Sequence, residues 1–134
     1  MQKYGELDAS YKAAGEEQGI RKLVDEFYQQ MGTLERGQHI RSMHTESLEV
    51  IKDKLSLFLM AWLGGPKVYR QKYGGISIPM AHKHLVVTEQ ERDDWLYCMQ
   101  EALKKQDYAE DFKEYLIKQL SVPAERIRQV SRDI

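Results

Sequence analysis

The stretch LEVIKDKLSLFLMAWLGGP, residues 48–66, decides the fold. Its apolar residues recur at the spacing of one helix face, at Leu48, Ile51, Leu55, Phe58, Leu59 and Trp62. The run ends at Gly64-Gly65-Pro66, where glycine frees the backbone angles and proline removes an amide donor. The pattern predicts an amphipathic helix that stops at this corner.

The same spacing recurs along most of the chain. One face runs from Ile20 to Met31 and stops at Gly32. Thr88 and Glu91 form a capping-box signature ahead of an apolar stripe that begins at Trp95. A fourth face runs over 108–120, and we expect it to close near Pro123, leaving a polar tail at 124–134 with room for one short helix. Shorter helices are expected near 8–14, 35–43 and 67–73.

These patterns predict an all-α domain. The only β-branched cluster is HLVV at 84–87, so strand signals are nearly absent. Apart from the short helix expected near 67–73, residues 64–87 are poorly patterned and contain glycine. A loop of that length inside a compact domain is more often functional than accidental.

Composition narrows the function classes. The 134 residues fit one domain spanning 1–134, and a net charge of −1 argues against a general nucleic-acid binder. The longest apolar run, 55–63, is too short to span a bilayer. A single cysteine, Cys98, excludes an internal disulfide and suits a reducing compartment. Without a basic and apolar leader at the N-terminus, the sequence predicts a cytoplasmic protein with no membrane partner.

Several polar and aromatic side chains are candidates for chemistry, and each has a plain structural alternative. His82 and His84 would share one face of a strand, but zinc needs further ligands, and neither a Cys pair nor a His-Glu spacing supplies them. Read alone, both histidines are surface or capping residues. Tyr28 and Trp95 are either core aromatics or hydrogen-bond donors. His44 has the position of a helix cap, and Cys98 that of a small buried residue.

Four segments together resemble the group II truncated haemoglobins, which have the 2-on-2 globin fold. They are LVDEFYQQM at 23–31, IRSMHTESL at 40–48, KLSLFLMAWLGGPKVYRQKYG at 54–74 and ERDDWLYCMQEAL at 91–103. The resemblance covers residues 4–121 and is most specific at Trp95. It implies a truncated globin-like 2-on-2 helical sandwich around a haem, preceded by an N-terminal extension at 1–8.

The resemblance implies that His82 is the proximal iron ligand. The family's proximal histidine lies thirteen residues before the tryptophan, and counting back from Trp95 gives His82. Ala81 stands where the family usually has arginine, and 85–87 read Leu-Val-Val in place of Phe-Pro-Ile. These departures keep His84 as the alternative ligand.

The family also implies the rest of the pocket. Its cofactor is haem b, iron protoporphyrin IX, which needs a flat apolar slot and one neutral imidazole. The residues expected around it are Ile51, Leu55, Phe58, Leu59 and His82. Because Ile51 is apolar, polar stabilisation of a bound gas would come from Tyr28, His44 and Trp95.

The resulting function is a haem protein with a five-coordinate iron that binds dioxygen and other diatomic gases, carbon monoxide and nitric oxide among them. This function includes oxygen transport. A first alternative is an enzyme that detoxifies nitric oxide or peroxide with an external reductase. A second is a helical interaction module without haem, in which Tyr28 and Trp95 are only core residues.

Overall fold

The computed structural model describes residues 4–43, 47–74 and 87–132, with side chains as far as residue 129. Within these ranges all regular secondary structure is helical. The helices are α1 (Ala9–Ala13), α2 (Glu16–Thr33), α3 (Glu35–Ser42), α4 (Leu48–Trp62), α5 (Val68–Tyr73), α6 (Glu89–Lys104) and α7 (Glu110–Arg132). The all-α prediction is thus confirmed. No helix in this described part of the chain is both long and apolar enough to cross a bilayer.

Helix α2 is the centre of the fold. It packs against α3, α4 and α6, while α7 covers α6 and α5 covers α4. The two pairs α2–α4 and α6–α7 form the two layers of a 2-on-2 sandwich. The six residues that the sequence placed on the buried face of α2 are all buried, namely Ile20, Leu23, Val24, Phe27, Tyr28 and Met31.

The start of α6 follows the sequence pattern closely. Thr88 accepts a hydrogen bond from the Glu91 amide, and the Glu91 carboxylate accepts one from the Thr88 amide at 2.7 Å. Both halves of the predicted capping box are therefore present. Two otherwise unpaired amides at the first turn are satisfied, which fixes where α6 begins.

The predicted end of the last helix is wrong. Helix α7 continues through Pro123 to Arg132, so the described part of the expected tail belongs to this helix. An interior proline removes one backbone hydrogen bond and costs about 3 kcal/mol. Beyond the proline, Ala124 is buried and Glu125 forms a 2.8 Å ion pair with Arg92 of α6, so contacts with another helix hold this part of α7 in place. These tertiary contacts are invisible to a local sequence pattern.

The corner after α4 is held by the N-terminal segment. Gly64 has φ +96°, and a Cβ added there would lie 2.0 Å from the backbone oxygen of Leu7. The Tyr11 amide donates to the Leu63 carbonyl at 3.0 Å. Residues 4–8 also pack, since the Tyr4 hydroxyl donates to Asp111. The glycine therefore does more than end α4, because it lets another chain segment approach the backbone closely.

Asp53 joins three helices. It accepts hydrogen bonds from Lys72 at 2.7 Å, from the Tyr73 hydroxyl at 2.6 Å and from Arg21 at 3.1 Å. The hydrogen bond from the Lys72 ammonium, followed by those from the Tyr73 hydroxyl and Arg21, together lower the pKa of Asp53 from its usual 3.8 to about 2. This carboxylate ties α5 to α4 and α2. Helix α5 ends at Tyr73, two residues before the segment 75–86 begins.

The Gly64 contact predicts a specific loss of stability. Alanine at Gly64 needs a left-handed backbone, at about 1–2 kcal/mol, and its methyl overlaps Leu7, at about 1–3 kcal/mol more. Gly74 is a control for the positive φ alone, because its φ is +93° and no described residue lies within 4 Å of an added Cβ. In urea unfolding, Gly64→Ala should lose roughly 2–5 kcal/mol, and Gly74→Ala only the backbone part. Equal losses would show that the Leu7 contact relaxes freely.

The hydrogen bonds of Asp53 predict that the stability of the fold depends on pH. Because its pKa is depressed in the folded state, its contribution is fully present above the unfolded value of 3.8 and is lost as pH falls towards 2. Asp53→Asn should cost on the order of 1–2 kcal/mol at pH 7. That difference from wild type should shrink between pH 4 and pH 2 in urea unfolding. Asp25→Asn, which removes an exposed pair with Lys52 across the same two helices, should change stability little at any pH.

Candidate functional site

Three aromatic rings from two helices meet beside the core. Phe27 and Tyr28 are neighbours on α2, and Trp95 comes from the second turn of α6. The ring centroid of Phe27 lies 4.9 Å from that of Tyr28 and 4.9 Å from that of Trp95, with interplanar angles of 65° in both pairs. These are edge-to-face contacts, the favoured arrangement of aromatic pairs. The structure therefore brings two of the three predicted polar donors to one buried ring.

The Tyr28 phenol stays protonated at physiological pH. Burial raises its pKa above the usual 10, and the nearby positive charge of Arg41 offsets that shift only in part. A neutral phenol keeps its O–H proton and can donate a hydrogen bond. Trp95 is half-buried, and its indole N–H is a donor at any physiological pH.

The position of α6 is set partly by ion pairs to α3. Buried Asp94 accepts hydrogen bonds from Arg36 at 2.8 Å and from Gln90 at 2.8 Å. One turn earlier, His39 lies 3.2 Å from Glu91. Helix α3 thus holds the turn of α6 that carries Trp95, and it also leads directly into residues 44–46.

The predicted pocket wall on α4 is an apolar stripe that the protein covers only partly. Leu55 and Phe58 are half-buried, and the ends of the stripe, Leu48 and Trp62, are 37% and 36% exposed. Phe58 and Trp62 stack on each other, with centroids 6.0 Å apart and planes 18° apart. Since α4 and α6 both pack on α2 and make little contact with each other in the described residues, the stripe can border a flat apolar group.

Two predicted residues belong to the closed core. Leu59 is fully buried, and Ile51 nearly so, and their expected place in the pocket lining stays a prediction. Cys98 is also fully buried, as its interpretation as a small core residue predicts. Burial raises the pKa of the Cys98 thiol to about 11, so it stays protonated.

The histidine predictions lie outside the described residues. These are His44 in 44–46, and His82 with its alternative His84 in 75–86. The described residues that directly precede these two segments are Met43 and Gly74. The roles of the three histidines therefore stay predictions.

Sequence reasoning gave no role in the site to four residues that shape it. Trp62 extends the α4 stripe, and its spacing of four from Phe58 was the available signal. Phe27 was placed only on the apolar face that runs from Ile20 to Met31. The Arg36–Asp94 pair spans 58 positions of sequence, and no local pattern points to it.

Comparison with known proteins places this geometry in a family. The bacterial-like globin family matches residues 9–129. The chain is 28% identical over 118 residues to group 2 truncated haemoglobin YjbI of Bacillus subtilis (strain 168), covering 88% of this chain and 86% of the relative.

Solved structures of truncated haemoglobins superpose well on this chain. The group II 2-on-2 haemoglobin from the plant pathogen Agrobacterium tumefaciens superposes with a TM-score of 0.83 at 27% identity, covering 92% of this chain and 96% of that one. The truncated oxygen-avid haemoglobin from Bacillus subtilis gives 0.79 at 27% identity, covering 89% and 98%. The chain therefore belongs to the bacterial-like globin family, with the fold of the group II truncated haemoglobins, and this family implies a haem cofactor.

Proposed function

We propose that this protein binds dioxygen and other diatomic gases at a five-coordinate haem b iron held by His82. The observation that carries the proposal is the contact of Tyr28 and Trp95 with one buried ring, Phe27. Two neutral hydrogen-bond donors from different helices are thereby held near each other. A structural relative from Bacillus subtilis is oxygen-avid, which supports dioxygen as the principal ligand.

The apolar stripe on α4 fits the proposed cofactor. Haem needs a flat apolar slot, and the half-exposed Leu55 and Phe58 supply apolar surface that the described helices do not bury completely. Trp62 extends that surface at the end of the helix. When bound, the haem iron supplies the position at which a gas molecule binds. His82 would hold the iron through a neutral imidazole nitrogen, and Ile51 and Leu59 of the same stripe would line the haem pocket.

Tyr28, His44 and Trp95 would act on the bound gas by donating hydrogen bonds. Bound dioxygen carries partial negative charge, so each good donor contributes on the order of 1.5–3 kcal/mol. Carbon monoxide is a poorer acceptor and gains much less. The nearly buried Ile51 offers no donor, which leaves discrimination to the other three side chains.

The cellular setting belongs to the same proposal. We propose a cytoplasmic protein whose ligands are dioxygen, carbon monoxide and nitric oxide, with oxygen transport among its roles. An external reductase belongs to the alternative role, in which it would supply the electrons for detoxification of nitric oxide or peroxide.

The assignment of His82 predicts a clear difference between two variants. Wild-type protein should purify with a Soret band, and His82→Ala should be pale, with spectral recovery on addition of imidazole. His84→Ala should keep its haem, because the proposal gives it no bond to iron. Absorption spectra of the three purified proteins decide the point. If only His84→Ala loses its haem, the iron ligand is His84 and not His82. If the wild-type protein has no Soret band, the result supports the interaction module without haem.

The donor role of Trp95 predicts a gas-selective effect. Trp95→Phe keeps an aromatic ring but removes the indole N–H, a loss of roughly 1.5–3 kcal/mol for a partly charged ligand. Dioxygen should dissociate about ten- to hundredfold faster, and carbon monoxide should change far less. Stopped-flow dissociation of both gases at one pH measures this.

A control is Tyr108→Phe, which deletes another aromatic hydrogen-bond donor, one that donates to the Ala14 carbonyl at 2.8 Å outside the proposed site. It should leave the ratio of the two dissociation rates close to that of wild type. Equal changes for both gases in Trp95→Phe would mean that Trp95 acts by shape, and no change would place it away from the gas.

A further inference from the structure

We propose that Phe27 is a positioning residue that holds the Tyr28 phenol and the Trp95 indole in one fixed arrangement, and so sets how strongly the site prefers dioxygen to carbon monoxide. This inference rests on the proposed function, since it needs Tyr28 and Trp95 to face the gas. It adds a residue that would not itself touch the ligand.

The geometry singles out Phe27. Its ring is fully buried and meets both donor side chains at the same centroid distance of 4.9 Å and the same angle of 65°. Both contacts are edge-to-face, so a change in its rotamer would disturb both partners. Phe27 is therefore a shared neighbour of two side chains that α2 and α6 supply separately.

The two partners depend on this ring for different reasons. Tyr28 follows Phe27 on α2, and rotatable side-chain torsions separate its hydroxyl from the backbone, so backbone position alone does not set the direction of the hydroxyl. Trp95 is half-buried on another helix. Neighbouring Asp94 is tied to Arg36, which fixes the backbone of that turn but not the indole ring.

The chain contains a control for simple loss of packing. Phe112 on α7 is also buried, and its ring contacts three tyrosines rather than a predicted site residue. Its centroid distances are 5.2 Å to Tyr4, 5.2 Å to Tyr108 and 6.3 Å to Tyr115. Phe112→Leu thus removes the same atoms from a similar aromatic cluster elsewhere in the core.

The first measurement is gas dissociation from the haem-loaded protein. Phe27→Leu should release dioxygen about tenfold faster, up to the effect of Trp95→Phe, with carbon monoxide changed by less than about twofold. Phe112→Leu should leave the ratio of the two rates unchanged. In a Tyr28→Phe/Trp95→Phe background, Phe27→Leu should add nothing to the dioxygen rate, because it acts through those two donors.

The second measurement needs no haem. In a Trp62→Phe background Trp95 is the only tryptophan, so its near-ultraviolet circular dichroism and acrylamide quenching report its environment in the apoprotein. Phe27→Leu should weaken the dichroism and increase quenching, whereas Phe112→Leu should leave both unchanged. If Phe27→Leu does not fold, Phe27→Met, which keeps most of the volume without a ring, takes its place.

The outcomes separate the two proposals. If Trp95→Phe and Tyr28→Phe leave the gas ratio unchanged, the donor function fails, and the apoprotein signal alone then decides whether Phe27 holds Trp95. If both donor variants act but Phe27→Leu matches Phe112→Leu in gas ratio and in Trp95 signal, Phe27 is ordinary core and the positioning role is overturned. Persistence of the Phe27→Leu effect in the doubly substituted background would overturn it as well.

Discussion

The rest of the structure depends on burial of one face of α2. That face packs against α3, α4 and α6, so any shift of α2 moves the helices that carry the candidate site. Each large apolar side chain buried there contributes about 1.5–3 kcal/mol relative to exposure. The last turns of the face also supply Phe27 and Tyr28. The same residues therefore stabilise the core and position the candidate site. A change that loosens the core also changes the distance between Tyr28 and Trp95.

The helices that the sequence predicted best are those whose signal is local. The α2 face and the Thr88 capping box depend on residues at most a few positions apart, and both are present as expected. The end of α7 was missed because Pro123 is a local helix breaker, whereas the ion pair that holds the helix beyond it comes from Arg92 on another helix. Asp53 was missed for the same reason, since its partners lie 19 to 32 positions away.

In the candidate site, too, the sequence predicted single residues but not the contacts between helices. The resemblance pointed to Tyr28 and Trp95 separately. Only the three-dimensional structure shows that both rings contact Phe27. No periodicity predicts that two helices bring their aromatic rings to a third. The half-exposed α4 stripe was likewise read as one helix face, without any indication that its ends would stay 36–37% exposed. Incomplete burial is a tertiary property, because it depends on which neighbouring helix covers which turn.

The charges near the proposed site are paired, and its two described donors, Tyr28 and Trp95, are neutral. Asp94 lies next to Trp95 in sequence, but its carboxylate is compensated by Arg36 at 2.8 Å, so little net negative charge remains to oppose an electron-rich gas. Asp53 is compensated in the same way by Lys72 and Arg21. Tyr28 stays a neutral phenol because burial disfavours its anion. Hydrogen bonding inside the pocket can then favour a polar ligand without a buried, unpaired charge, which would cost far more than a hydrogen bond returns.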